Sequence, residues 1–157
     1  MDISRRMAAL ILTGAFALVV GGCNSLLAPS PAAPVVMAPA IGPDVLVGRW
    51  GLASYQKEAD RARTEKEARA QCNKPYVINR GPNGGVMMHL ADQKEPQELV
   101  LKGGPNGKTF LGPAGAPAGP DDREISAVEP NSFTANWVDP ENSSRYGTMV
   151  YERCGAH

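Results

Sequence analysis

From residue 47 to residue 154, apolar and polar side chains alternate in short runs, and glycine, proline, asparagine or aspartate separates one run from the next. Alternation sends successive side chains to opposite faces of an extended chain, so each run predicts a half-buried β-strand. Residues 47–54 put Gly48, Trp50 and Leu52 on one face, and residues 75–79 put Tyr76 and Ile78 there. Val86, Met88 and Leu90 share a face in residues 84–92, as do Leu99 and Leu101 in residues 97–102. A short piece at 109–111, then 123–128, 131–138 (with Phe133, Ala135 and Trp137 on one side) and 145–154 complete the series. The expectation is a mainly β fold. Eight short antiparallel strands can close into a barrel whose interior is filled by side chains or holds one small ligand.

One segment breaks the period. Residues 55–71 (YQKEADRARTEKEARAQ) contain no glycine or proline and are rich in alanine, glutamate, lysine and arginine. Arg61 and Glu65, Arg63 and Glu67, and Glu65 and Arg69 are opposite charges one helical turn apart, which predicts a solvated helix inserted after the first strand. Its apolar stripe is thin, mainly Tyr55, Ala59 and Ala62, so loose packing on the sheet is expected.

Two copies of Gly-Pro-Asn-Gly occur, at 81–84 and 104–107, and the second is followed by Lys108-Thr109. Gly107-Lys108-Thr109 has the ending of a phosphate-binding loop, but the glycine required five positions before Gly107 is Lys102. Pro105 removes a backbone N–H where the cradle needs donors, and the sequence after Thr109 is too rich in glycine and proline to begin a helix. Asn-Gly after proline is instead hairpin chemistry. Both copies are read as turns, and no nucleotide is expected.

The N-terminus has another character. Arg5 and Arg6 precede an apolar run from Ala8 to Val20, too short for a spanning helix, and small residues Gly21 and Gly22 lead to Cys23. That is the pattern of an export signal. Val20-Gly21-Gly22-Cys23 resembles the lipobox of bacterial lipoproteins. The resemblance implies cleavage after residue 22, acylation of Cys23 and anchorage in a membrane, with two or more chains needed for stable hold. Asn24, rather than aspartate, follows the cysteine, which by the same resemblance implies the outer membrane facing the periplasm. Residues 1–22 carry Arg5, Arg6 and Asp2, so their removal takes the net charge from 0 to −1. Such a chain has no basic excess for nucleic acid. Residues 23–44 carry five prolines and little charge, a semi-rigid tether in front of a domain at 45–157. With Cys23 lipidated, Cys72 and Cys154 are left, and in an exported protein they are expected to pair.

The domain opens with Gly48-Arg49-Trp50 and closes with Tyr151-Glu152-Arg153-Cys154. A Gly-x-Trp on the first strand with an arginine on the last resembles the lipocalin-like (calycin) barrels and, more distantly, the periplasmic metalloprotease inhibitors within that superfamily. The resemblance implies an eight-stranded up-and-down barrel in which the guanidinium of Arg153 covers the face of Trp50. It also offers inhibition of a secreted protease as an alternative activity; two further alternatives, carriage of a small apolar ligand and binding of an envelope protein through the helix at 55–71, rest on the residues themselves. The inhibitors use a free N-terminal segment, whereas here that region is the tether.

No catalytic apparatus is expected, and no cofactor. His89 alternates away from the Val86–Met88–Leu90 face, and Ser126, Ser132, Ser143 and Ser144 have no other nearby base in the sequence. Asp121, Asp122 and Glu124, and Asp139 with Glu141, read as turn carboxylates without the spacing of a calcium loop. Met87, Met88, Trp137, Met149 and Tyr151 are candidates for a ligand or partner surface. The segment 112–122, rich in glycine and proline, reads as a long loop at a barrel mouth. The overall expectation is a lipid-anchored, non-enzymatic envelope protein with a binding or structural role.

Overall fold

The computed structural model describes residues 37–155, and the export signal, Cys23 and most of the tether lie outside them. Eight strands, β1 (Gly48–Tyr55), β2 (Tyr76–Arg80), β3 (Val86–Met88), β4 (Gln97–Gly103), β5 (Thr109–Gly112), β6 (Arg123–Glu129), β7 (Ser132–Trp137) and β8 (Thr148–Arg153), follow one another in sequence order. Each pairs antiparallel with the next, and β1 pairs with β8, so the sheet is a closed up-and-down barrel. Helix α1 (Arg61–Ala70) follows β1, and a second helix, α2 (Pro140–Tyr146), precedes β8.

The register defines two ends. Trp50 pairs with Arg153 at one, and Arg123 pairs with Trp137 at the other. The first end also carries both Gly-Pro-Asn-Gly turns. In the β4–β5 turn Asn106 and Gly107 take positive φ (59° and 73°), and Gly104 N donates to the Lys108 carbonyl oxygen at 2.8 Å. That is the chemistry of a tight hairpin, and the Lys108 ammonium pairs with Glu124 at 2.9 Å. Between β2 and β3, Gly81 N donates to Gly85 O at 2.8 Å.

Inward-facing side chains fill the closed half. Trp50 meets Phe133 edge-on at 4.8 Å, Phe133 stacks on Tyr151 at 4.2 Å, and Tyr151 meets Tyr76 at 6.1 Å. Ile78, Val86, Met88, Leu99 and Leu111 pack around this column and are buried.

Several expectations are corrected. β1 runs through Tyr55, a single 3-10 turn occupies Glu58–Asp60, and the helix begins only at Arg61. Its buried positions are Thr64 and Ala68, not Ala59 and Ala62. The packing is close rather than loose: a Cβ on Gly51 would overlap the Ala68 carbonyl oxygen, so the helix backbone rests on the strand backbone. Small residues, not an apolar stripe, make that contact. Arg61–Glu65 and Arg63–Glu67 pair at 3.0 and 2.8 Å as expected, but Arg69 reaches across to Glu152 on β8 at 3.0 Å. Burial pushes the Glu152 carboxyl up, and Arg69 opposes the shift.

β8 starts at Thr148 because the residues before it form α2. Asp139 caps that helix by accepting from Asn142 N at 2.8 Å, and Pro140 takes the first helical position. The 112–122 loop is also held firmly. Lys102 Nζ sits inside it, donating to the carbonyl oxygens of Pro113 (2.9 Å) and Ala116 (3.1 Å) and pairing with Asp122 (2.6 Å).

Candidate functional site

At the first end the chain entering the barrel forms the seal. Residues Pro43–Val45 make a 3-10 turn, and Leu46 behind them is fully buried. Trp50 Nε1 donates to the Leu46 carbonyl oxygen at 2.8 Å. The guanidinium of Arg153 lies 4.1 Å from the Trp50 ring centre and donates to Val45 O (2.8 Å) and Val47 O (3.2 Å). Gly48 has a φ of 146°, and its missing Cβ leaves room for the guanidinium, 2.7 Å from where that atom would stand. Residues of the expected tether contribute as well: Met37 bridges to Gly103, and Ala40 N donates to Thr109 Oγ1 at 3.1 Å. Cys72 and Cys154 form a disulfide, with Cα atoms 5.5 Å apart, tying the exit of α1 to the end of β8.

The other end is open. A cavity of about 360 Å³ lies between the tops of β1, β6, β7 and β8, the segment 89–93 and α2. Of the expected contact residues, Trp137, Met149 and Tyr151 line it. Met88 is buried in the barrel core, and Met87 alternates to the outer face of β3. His89 is corrected too: β3 ends at Met88, the alternation lapses, and the ring turns to Tyr76, whose hydroxyl lies 3.1 Å from its Nδ1. The same hydroxyl accepts from His89 N at 3.0 Å, which fixes the segment over the mouth.

Sequence reasoning missed Arg123, Tyr76 and Tyr146 as cavity walls. Arg123 is only 3% exposed, and its Cζ lies 4.1 Å from the Trp137 ring centre, repeating the arrangement at the sealed end. Its Nη2 donates to the His89 carbonyl oxygen. The signal was present: Arg123 is two residues before inward-facing Ile125, and on an eight-stranded barrel that places it inside. Burial raises the Tyr151 hydroxyl to about 12, against the pull of the Arg123 charge, and raises Tyr76 as well. Both phenols are therefore neutral donors at physiological pH. At the rim, Arg145 takes both oxygens of Asp92 (2.7 and 2.8 Å), Tyr146 donates to Asp92 at 2.7 Å, and these bonds hold that carboxyl below its ordinary value.

The walls supply a buried cation, neutral hydroxyls and aromatic faces, which is equipment for holding a molecule. Among the described residues no group of three or more histidine, cysteine, aspartate or glutamate side chains is placed to hold a metal ion. No protein-family model matches the chain, and neither a curated protein nor a solved structure is significantly similar to it. The class is accordingly set by architecture: a closed, eight-stranded antiparallel barrel with a helix after its first strand, compatible with a calycin-like fold.

Proposed function

We propose that this protein is a lipid-anchored, non-enzymatic binding protein of the cell envelope, tethered through Cys23 and holding a small, largely apolar molecule in the open end of its barrel. The observation that carries the binding part is the asymmetry of the two ends. One is sealed by Leu46, Trp50 and Arg153, while the other opens on a cavity walled by Leu52, Trp137, Tyr146, Met149 and Tyr151. Concave, mostly apolar sites with a few convergent polar groups are the usual form of small-molecule sites. The anchorage part rests on the resemblance of residues 20–23 to a lipobox. Protease inhibition draws less support, because Met37 and Ala40 are already bonded to the barrel and leave less of the N-terminal segment free to enter a cleft.

Native mass spectrometry of the protein extracted from membranes tests both parts. The expected result is a chain beginning at Cys23 with diacylglyceryl and acyl additions, carrying a small molecule that leaves on activation. Cys23→Ser should move the protein from the membrane to the soluble fraction. An unmodified, membrane-free wild type would overturn the anchorage. A chain that retains no small molecule and takes up none from envelope extracts would overturn the carrier reading.

A further inference from the structure

The barrel contains two arginine–tryptophan pairs of the same construction, and only one is complete. Each is a cross-strand pair on the inner face of the sheet, Trp50 opposite Arg153 and Trp137 opposite Arg123, and each guanidinium lies 4.1 Å from its indole centre. At the sealed end the chain supplies acceptors to both partners: Leu46 O to the indole, Val45 O and Val47 O to the guanidinium. At the open end the His89 carbonyl oxygen accepts from Arg123 Nη2, but Arg123 Nε and Trp137 Nε1 are buried and have no hydrogen-bond partner among the described residues. Arginine and tryptophan nitrogens only donate, so both atoms require an acceptor. Buried donors are rarely left idle, since each unmet one costs free energy comparable to a lost hydrogen bond.

Charge narrows the choice. Among the described residues no carboxylate lies within ion-pair distance of Arg123, although Asp122 is its neighbour in sequence. That aspartate is committed to Lys102 on the far side of the strand. Asp92, at the rim, is neutralised by Arg145. A guanidinium this buried, facing neutral phenols and indole, favours an anion that can accept from a planar fork. Away from the 89–93 rim, where His89, Asp92 and Gln93 also face the cavity, the walls (Leu52, Leu90, Met149, Tyr146) are apolar or aromatic, and the volume of about 360 Å³ is at the small end for ligand sites.

Resting on the reading above that the open end is a ligand site, we propose that it takes a small carboxylate with an apolar or aromatic body. The carboxylate oxygens accept from Arg123 and Trp137, standing where the Val45–Val47 carbonyls stand at the sealed end, and the body lies among Tyr146, Met149 and Leu52. The indole and guanidinium part slightly to admit the head group, which exchanges their mutual contact for hydrogen bonds.

Calorimetric titration of the full chain in non-ionic detergent with sodium 3-phenylpropionate and with its neutral counterpart 3-phenylpropanol tests this. The expected result is that the carboxylate binds more tightly, on the order of tenfold, as loss of a charged hydrogen bond would give. Arg123→Met should remove that preference while keeping the alcohol. Trp137→Phe, which keeps a ring but deletes the donor, should weaken the carboxylate severalfold and leave the alcohol unchanged, and it serves as the test should Arg123→Met fail to fold. Equal binding of the two probes by wild type would overturn the carboxylate assignment while sparing the ligand site. Undiminished carboxylate preference in either variant would overturn the assignment to this pair. Absence of binding by both probes at millimolar concentration would overturn the site itself.

Discussion

Gly48 shows how one residue holds the sealed end together. Its φ of 146° is a region that side chains avoid, and a Cβ there would stand 2.7 Å from Arg153 Nη1 and 3.7 Å from Trp50 Nε1. Gly48→Ala should therefore cost on the order of 1–3 kcal/mol, from backbone strain together with displacement of the guanidinium. The two contributions are separable. In an Arg153→Ala background the steric part is absent, so the glycine substitution should cost less there, and urea unfolding of the four proteins gives the coupling directly. Equal costs in both backgrounds would mean that Gly48 serves only its own torsion.

At the level of elements, the 112–122 loop is organised from beneath by an ion pair. The side chains of Lys102 and Asp122 are 9% and 2% exposed, and Asp122 also accepts from Gly119 N at 2.9 Å. Removing one partner leaves the other charge buried, so Lys102→Met should cost about 3–5 kcal/mol, with Lys102→Met/Asp122→Asn recovering much of that loss. Denaturation midpoints and protease cutting within 113–121 report it; an unchanged single variant would contradict the role. A second staple, Cys72–Cys154, closes a separation of 82 residues. The Cys72→Ser/Cys154→Ser pair should lose about 2–4 kcal/mol by denaturation, and an unchanged midpoint would show that the disulfide adds nothing to the hold on α1 already given by Ala68 on Gly51 and Arg69 with Glu152.

Elements differ in how plainly the sequence announces them. Strands were legible because alternation of large apolar residues such as Phe133, Ala135 and Trp137 is enforced by the barrel wall itself. The contact of the Arg153 guanidinium with Trp50 was expected from the resemblance, but the strand register that makes it was not. Helix α2 went unread because it has seven residues and no apolar face to count, although Asp139-Pro140 is a sound start signal. The seat of α1 was illegible for a different reason: glycine against alanine is a backbone contact, invisible to a search for hydrophobic stripes. Arg123 was passed over because a charged residue on an inward position reads as polar surface until its partner strand is known.

The molecule as a whole is a closed ladder of uneven strength. β1 and β8 share six paired positions, whereas β2 and β3 share two, Asn79 with Met87 and Arg80 with Val86. Local opening begins where the fewest bonds must break, so β2 and β3 should exchange their amide hydrogens well before β6, β7, β8 and β1. One carboxylate reinforces the weak seam. Glu98 on β4 accepts from Asn83 N and Gly85 N (both 2.8 Å) and from Asn83 Nδ2 (2.7 Å), and its side chain fills the space a Cβ on Gly81 would need, while at Gly85 the Leu99 carbonyl oxygen stands closest. Burial alone would push this carboxyl up, but those three donors outweigh it and hold it below its ordinary value of 4.5. A depressed carboxyl stabilises fully above its ordinary value and loses that contribution as the pH falls through its lower one. Protection factors, which remove the intrinsic pH dependence of exchange, should therefore fall in β2 and β3 as the pH drops below that ordinary value of 4.5. Glu98→Gln should show the same loss at neutral pH and little further change in acid. Asp92 is depressed as well, but by Arg145 at the opposite end, so its protonation should loosen α2 and the 89–93 segment and spare this turn. Opening that is uniform around the ring, or a Glu98→Gln variant with undiminished protection at Gly85 and Met87, would show that the ladder fails elsewhere.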